Sequence, residues 1–223
     1  FQTLLKQQIG KGNVRNIVAR VQSSDGRVDL AGASGFADAD ERTPMSPDTP
    51  YHIASVSKTY TAAMIMQLHD QGKLNLDQPI AAYLPADLLA GIHVHRGHDY
   101  SHELKVYHLV AQTSGLPDYF EDKPKGGRSL YDDLKQGAPD RAYTTQELLA
   151  IVRDIPPKFE PDARNGRKAH YSDTNYHLLG AIIEATTGQS YADNLQRMLC
   201  EPLGLHNTYP FDASNPRAPH PPT

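Results

Sequence analysis

The apolar positions of this chain change period once. Near the start, "NVRNIVARVQ" and "RVDLAGASGF" are two runs rich in β-branched and small residues, separated by Ser24-Asp25-Gly26. Asp-Gly between such runs predicts a hairpin closed by a tight two-residue turn, which requires positive φ. The pattern gives antiparallel strands over roughly 14–22 and 27–36, after a short helix in "FQTLLKQQIG" that Gly10 closes. "DERTPMSPDTP" then connects without periodicity. From Ser55 onward helical spacing takes over, with Met64, Leu68 and neighbouring Ala63 on one face until Gly72 stops the helix.

A second helix is predicted through "ELKVYHLVAQ" up to the breaker "TSGLP". Residues 118–142 read as a loop excursion rich in glycine and acid–aromatic clusters, and its acid runs around 118–133 as a solvated loop and lid candidate. Thr144 and Glu147 form a capping-box pair ahead of "LLAIVRDI", which ends at Pro156-Pro157. "NYHLLGAIIEATTG" places Leu178, Ile182 and Ala185 on one face and closes at Gly188. A last helix covers roughly 190–200 and leads into "EPLGLHNTYP" and a proline-rich tail.

A lone hairpin is marginally stable and its edges invite pairing. These strands ought to join a larger sheet, and no later segment supplies its strands. The expectation is an α/β (α+β) domain over 1–223 that is C-terminally incomplete. Residues 1–40 supply the helix and hairpin of its α/β part, and 51–210 a mainly helical subdomain.

The totals narrow the partners rather than the chemistry. A length of 223 residues can bury a sizeable core, while 17 prolines agree with substantial loops. The formal charge of −4 argues against nucleic acid or an anionic membrane surface as the main partner. No apolar run reaches membrane-spanning length. The chain starts at Phe1 rather than Met, so removal of a leader stays open, and the single Cys200 cannot form an internal disulfide.

Candidate chemistry begins at "IASVSKTYTA", where Ser55 precedes Lys58 by three residues at a helix start. Positions i and i+3 share a helical face, so the hydroxyl and the ammonium can meet. The helix start also offers free N–H groups and the positive end of the dipole, which favour a developing oxyanion. A lysine takes the serine proton only if burial and nearby positive charge lower its pKa. The bland alternative is an N-cap serine beside a solvated lysine, and Ser-x-x-Lys arises by chance about once in a chain of this length. "YSDTNY", starting at Tyr171 just before the 175–188 helix, adds a second signal. A tyrosine brought near Ser55 and Lys58 can act as general base; otherwise it is a buried aromatic with a bonded hydroxyl.

With "SVSK", "YSD", "VAQTSGLPDYF", "PLGLHNTY" and the hairpin ending "GASGFAD", the chain resembles the serine β-lactamase and penicillin-binding protein superfamily, in particular its class C-like and carboxylesterase-like or D-Ala-D-Ala carboxypeptidase-like branch. The resemblance covers nearly the whole chain. It implies Ser55 as acylated nucleophile, Lys58 as its proton partner and Tyr171 as the base that serves the leaving group and later water. Asp173 stands where many relatives carry an Asn that contacts the substrate amide, which favours an esterase or peptidase over a β-lactam resistance enzyme. Tyr119 falls in a loop that lines the cleft by the same analogy. The implied substrate is a small molecule or peptide: an ester, a D-amino-acid peptide or amide, or a β-lactam.

Neither metal nor organic cofactor is required by that chemistry, and relatives usually act outside the cytoplasm. The family's Lys-Thr-Gly or His-x-Gly motif, on a core strand, is not found. The resemblance therefore implies that this sequence is the N-terminal part of such a protein, a poor catalyst alone, with an open sheet edge available for association.

Two rivals belong to other classes. "HVHRGHDYSH" places His93, His95 and His98 at spacings seen in metal-dependent hydrolases, although Gly97 stands where that motif has Asp. A catalytically silent scaffold with the same fold is the other. His108 and His177 read as half-buried structural residues, and Cys200 as core.

Overall fold

Each predicted hairpin strand forms, but the turn between them differs. The structure, a computed structural model, describes residues 1–139, 141–161 and 168–210; the proline-rich tail lies outside them. Residues 1–54 form one compact unit and residues 55–208 another.

In the first unit, α1 (Gln2–Lys6) precedes β1 (Asn16–Gln22) and β2 (Asp29–Gly35), which pair antiparallel from Asn16 opposite Gly35 to Gln22 opposite Asp29. The hairpin closes through a longer loop than the two-residue turn expected. Ser23 donates its N–H to the Val28 carbonyl at 2.8 Å, and Gly26 (φ 72°) takes the left-handed conformation. The reason is Asp25, whose Oδ1 accepts from the Ser23 hydroxyl and from the Arg27 N–H, and so organises the wider loop. Leu5 of α1 is buried, and Gln2 Nε2 donates to the Ala33 carbonyl. Among the described residues the sheet is two-stranded, with Val21 and Leu30 exposed.

The second unit is helical. A 3-10 turn, Ala54–Val56, runs into α2 (Ser57–Asp70), whose buried face is Thr61, Met64, Ile65 and Leu68, the i, i+3, i+4, i+7 stripe of an amphipathic helix. Ala63 is only partly buried, and Ile65 takes the place expected for it. A short α3 (Ala86–Leu89) was not legible in the pattern. The His-rich stretch forms a two-residue-per-strand hairpin, β3 (Val94–His95) and β4 (His98–Asp99). It is followed by α4 (Val106–Val110), shorter than its apolar run suggested.

The 118–142 excursion is not all loop. Ser129 accepts from the Asp132 N–H and starts α5 (Leu130–Lys135). The capping box of Thr144 and Glu147 opens α6 (Thr145–Arg153), and Arg153 ties the end of that helix to the carbonyls of Leu88 and Ala90.

At the centre runs α7 (Asp173–Thr187), against which α2, α4, α6 and α8 (Tyr191–Leu195) pack. Leu178, Leu179, Ile182 and Ile183 are fully buried on it, each contributing about 1.5–3 kcal/mol of burial. Ala185, expected on the same face, is exposed. The final helical stretch changes winding, from α8 through a π turn at Gln196–Cys200 to α9 (Glu201–Leu203), with Cys200 in the core.

One close approach needs a glycine. Gly115 has φ 75°, and a Cβ there would lie 2.1 Å from the Phe159 carbonyl oxygen. The Lys158 N–H donates to the Gly115 carbonyl at 2.9 Å, fastening the two segments.

Candidate active site

Two turns of chain far apart in sequence meet at Ser55. Its Oγ accepts from Lys58 Nζ at 3.2 Å and from the Tyr171 hydroxyl at 2.6 Å. Lys58 arrives by the i, i+3 geometry of the helix start; Tyr171 arrives from 116 residues away, on the loop that enters α7. Asp173 Oδ1 lies 2.5 Å from Lys58 Nζ, and the ammonium stands 4.8 Å from the Tyr171 ring centroid and 5.7 Å from that of Tyr176. Ser55 is exposed and therefore reachable. Ala54, just before it, has φ 44°, an uncommon conformation for a residue with a Cβ.

The charge around Lys58 is set by Asp173, an anion that by its position would hold the lysine protonated. Partial burial pulls its pKa down, but Asp173 and Tyr171, as hydrogen-bond partners and as charges, outweigh that, and the net shift is upward. Burial is present; the neighbouring positive charge that would complete the lowering is replaced by a carboxylate. Lys58 is an ammonium at neutral pH.

The loop that carries Tyr171 is held by the segment after α4. Gln112 takes the His170 N–H on its carbonyl at 3.0 Å and the Ser172 N–H on its side-chain oxygen at 3.0 Å. The same Oε1 accepts from Asn175 Nδ2, and Ser114 Oγ donates to Asn175 Oδ1. The Pro117 carbonyl accepts from the hydroxyls of Ser172 and Thr174. Asp118 Oδ1 accepts the Asp173 N–H, an anion at the N-terminus of α7. Burial pushes the Asp118 carboxyl up, against its N–H bond from Phe120 and with the nearby Asp173 charge.

Asp122 accepts from Lys158, His170 and the Asp118 N–H. Burial works against its charge, but these partners hold it below the ordinary carboxylate range. The "TSGLPD" stretch, read in sequence as punctuation, is thus the cradle of the Tyr171 loop. Nothing in its pattern announces this, because a breaker signals where a helix ends and not what the freed backbone then holds.

Of the expected site residues, Ser55, Lys58, Tyr171 and Asp173 come together. Tyr119 is near enough to feel the group as charge: its hydroxyl is pushed up to about 12 by burial first, then by the charges of Asp173 and Asp118. Tyr119 also lines, with Phe120, Leu134, Tyr143, Leu148 and His177, a cleft of about 300 Å3 whose lining includes none of Ser55, Lys58, Tyr171 and Asp173.

The histidines of the rival motif do not converge. His93 is buried with Nε2 on the Ser114 carbonyl, while His98 pairs with Glu103 beyond the tiny hairpin. Among the described residues no group of three or more His, Cys, Asp or Glu stands where it could hold a metal ion. His108 is buried rather than half-buried, and accepts the Lys105 N–H on Nδ1. No helix among the described residues is long and apolar enough to cross a membrane.

Comparison with known proteins places this geometry in context. Residues 1–220 match the family described as Beta-lactamase. "Protein flp" of Staphylococcus aureus (strain MRSA252) is 28% identical over 223 residues, covering 99% of this chain and 39% of its own length. "Penicillin-binding protein 4" of Amycolatopsis lactamdurans is 31% identical over 177 residues, 79% of this chain and 40% of the relative. The crystal structure of a D-stereospecific amidohydrolase from Streptomyces sp. superimposes with a TM-score of 0.67 at 28% identity, covering 92% of this chain and 54% of that one. The chain thus spans about two fifths of the length of the curated relatives it matches.

Proposed function

Because this chain belongs to the beta-lactamase family, we propose that it is a serine hydrolase that forms an acyl-enzyme at Ser55. The observation that carries the reading is the Ser55 Oγ–Tyr171 Oη contact of 2.6 Å beside the Lys58 ammonium. With Tyr171 as phenolate beside the Lys58 ammonium, Ser55 Oγ attacks the carbonyl carbon of an ester or amide as its proton moves to Tyr171 Oη. Tyr171 passes a proton to the departing alcohol or amine. In the second half, Tyr171 takes a proton from water, which attacks the acyl carbon and returns Ser55 as a hydroxyl. Lys58, held as an ammonium by Asp173, offsets the negative charge that crosses the two oxygens in both halves.

Substrate class follows from Asp173. A carboxylate already committed to Lys58 at 2.5 Å offers no amide N–H to a substrate carbonyl. That favours esters, amides and D-amino-acid peptides over β-lactams. The likeness to a D-stereospecific amidohydrolase supports the amide side of this class. The test is intact-mass spectrometry after exposure to p-nitrophenyl acetate, with a Ser55→Ala variant in parallel. The expected result is one acetyl adduct that the variant lacks. An adduct of equal size on the variant, or none on the wild type, overturns the assignment.

A further inference from the structure

Tyr171 is 51% exposed, so packing does little to fix its ring. What aims its hydroxyl at Ser55 is the backbone on either side. Both flanking N–H groups, those of His170 and Ser172, end on one residue: Gln112 accepts the first with its main-chain oxygen and the second with its side-chain oxygen. Resting on the acyl-enzyme reading above, we propose that Gln112 is the positioning residue for Tyr171, a two-point clamp that sets the reach of its hydroxyl to Ser55.

Three features of Gln112 fit a residue held for its reach. Its φ is 59°, the left-handed region, which a residue with a Cβ adopts at a steric cost. That turn lets carbonyl and side chain face the same loop. Its Nε2 is buried without a partner, an unfavourable state for an amide. The orientation is nevertheless forced, because Ser172 N–H and Asn175 Nδ2 both need an acceptor at Oε1. Asn175 is in turn fixed by Ser114, so the clamp is anchored to α7 as well as to the loop. A residue kept only for stability would resolve the orphaned amide or relax the backbone; Gln112 does neither.

The variants separate clamp from scaffold. Gln112→Gly keeps the left-handed backbone and the bond to His170, but deletes the bond to Ser172. Gln112→Glu keeps an acceptor oxygen at the same reach. For Ser55 acetylation by p-nitrophenyl acetate, Gln112→Gly is expected to lower the limiting rate about a hundredfold, as for a misplacement of roughly 1 Å, with half-saturation unchanged. Gln112→Glu restores most of it. In a Tyr171→Phe background Gln112→Gly adds no further loss, since the effect runs through the lost hydroxyl. An undiminished rate in Gln112→Gly, or an equal loss in both backgrounds, overturns the proposal.

A second readout does not depend on turnover. With 3-fluorotyrosine at position 171, the 19F resonance is expected to narrow and move towards the free amino acid in Gln112→Gly, and to return in Gln112→Glu. If wild type fails to acylate, the hydrolase reading falls and this spectrum alone judges the clamp. A resonance unmoved by Gln112→Gly overturns it.

Discussion

Lys58 shows how one neighbour reverses a side chain's chemistry. Burial would make it a base; the Asp173 carboxylate at 2.5 Å makes it a fixed cation. A raised lysine pKa means the ammonium persists as pH rises through the ordinary value and is lost only above it. Asp173→Asn removes the anion, so Lys58 deprotonates at lower pH. The alkaline limb of the Ser55 acylation rate is then expected at lower pH than in wild type, read from a pH series with the same ester. A limb that stays in place assigns it to another group. At this scale the sequence disclosed Ser55 and Lys58 by their helical spacing. Tyr171 stood out as a candidate base in its loop, but its pairing with Ser55 and the role of Asp173 came through family resemblance, since no local rule links residues 116 positions apart. Gln112 and Asp118 were hidden, because a left-handed backbone and a buried carboxyl leave no trace in an apolar pattern.

Among the elements, α6 carries the clearest start signal in the sequence. The capping box forms with Thr144 Oγ1 accepting the Glu147 N–H and Glu147 Oε2 accepting the Thr144 N–H. Thr144→Ala is expected to cost about 1 kcal/mol of stability at neutral pH. Hydrogen bonds from Arg141 and Thr144 pull Glu147 down to about 2. A depressed carboxylate stabilises the fold above the ordinary Glu value of about 4.3, and that contribution is lost as pH falls towards 2. Glu147→Gln should therefore flatten the acid-side change in melting temperature between those limits, followed by circular dichroism. A slope equal to wild type would mean the box does not hold in solution. Long periodic helices such as α2 and α7 were legible for the same reason as α6: their stripes span several turns. Short α3 and α5, and the winding change at Gln196–Cys200, were not, because three to six residues hold too little periodicity to distinguish helix from loop.

Across the molecule, stability is concentrated in the 55–208 unit, where α7 is packed on several sides. Leu179→Ala is expected to cost about 2–5 kcal/mol, whereas Leu30→Ala on the exposed hairpin face should stay within about 0.5 kcal/mol. Urea titrations of the two variants check the contrast, and equal losses would mean that the hairpin face is covered in solution. The predicted division into hairpin and helical parts drew on the change of period, a property of the whole chain; how the segments fasten to one another was invisible to it. Gly115 is such a fastening. Its carbonyl receives Lys158, whose ammonium meets Asp122, which holds the ring of His170 beside Tyr171. A lineage descending from this protein is free to rewrite the surface around that chain of contacts, but any methyl at position 115 collides with the Phe159 oxygen. The codon is locked by a carbonyl rather than by chemistry, so inheritance would guard the Tyr171 loop from a position outside the Ser55, Lys58, Tyr171 and Asp173 group.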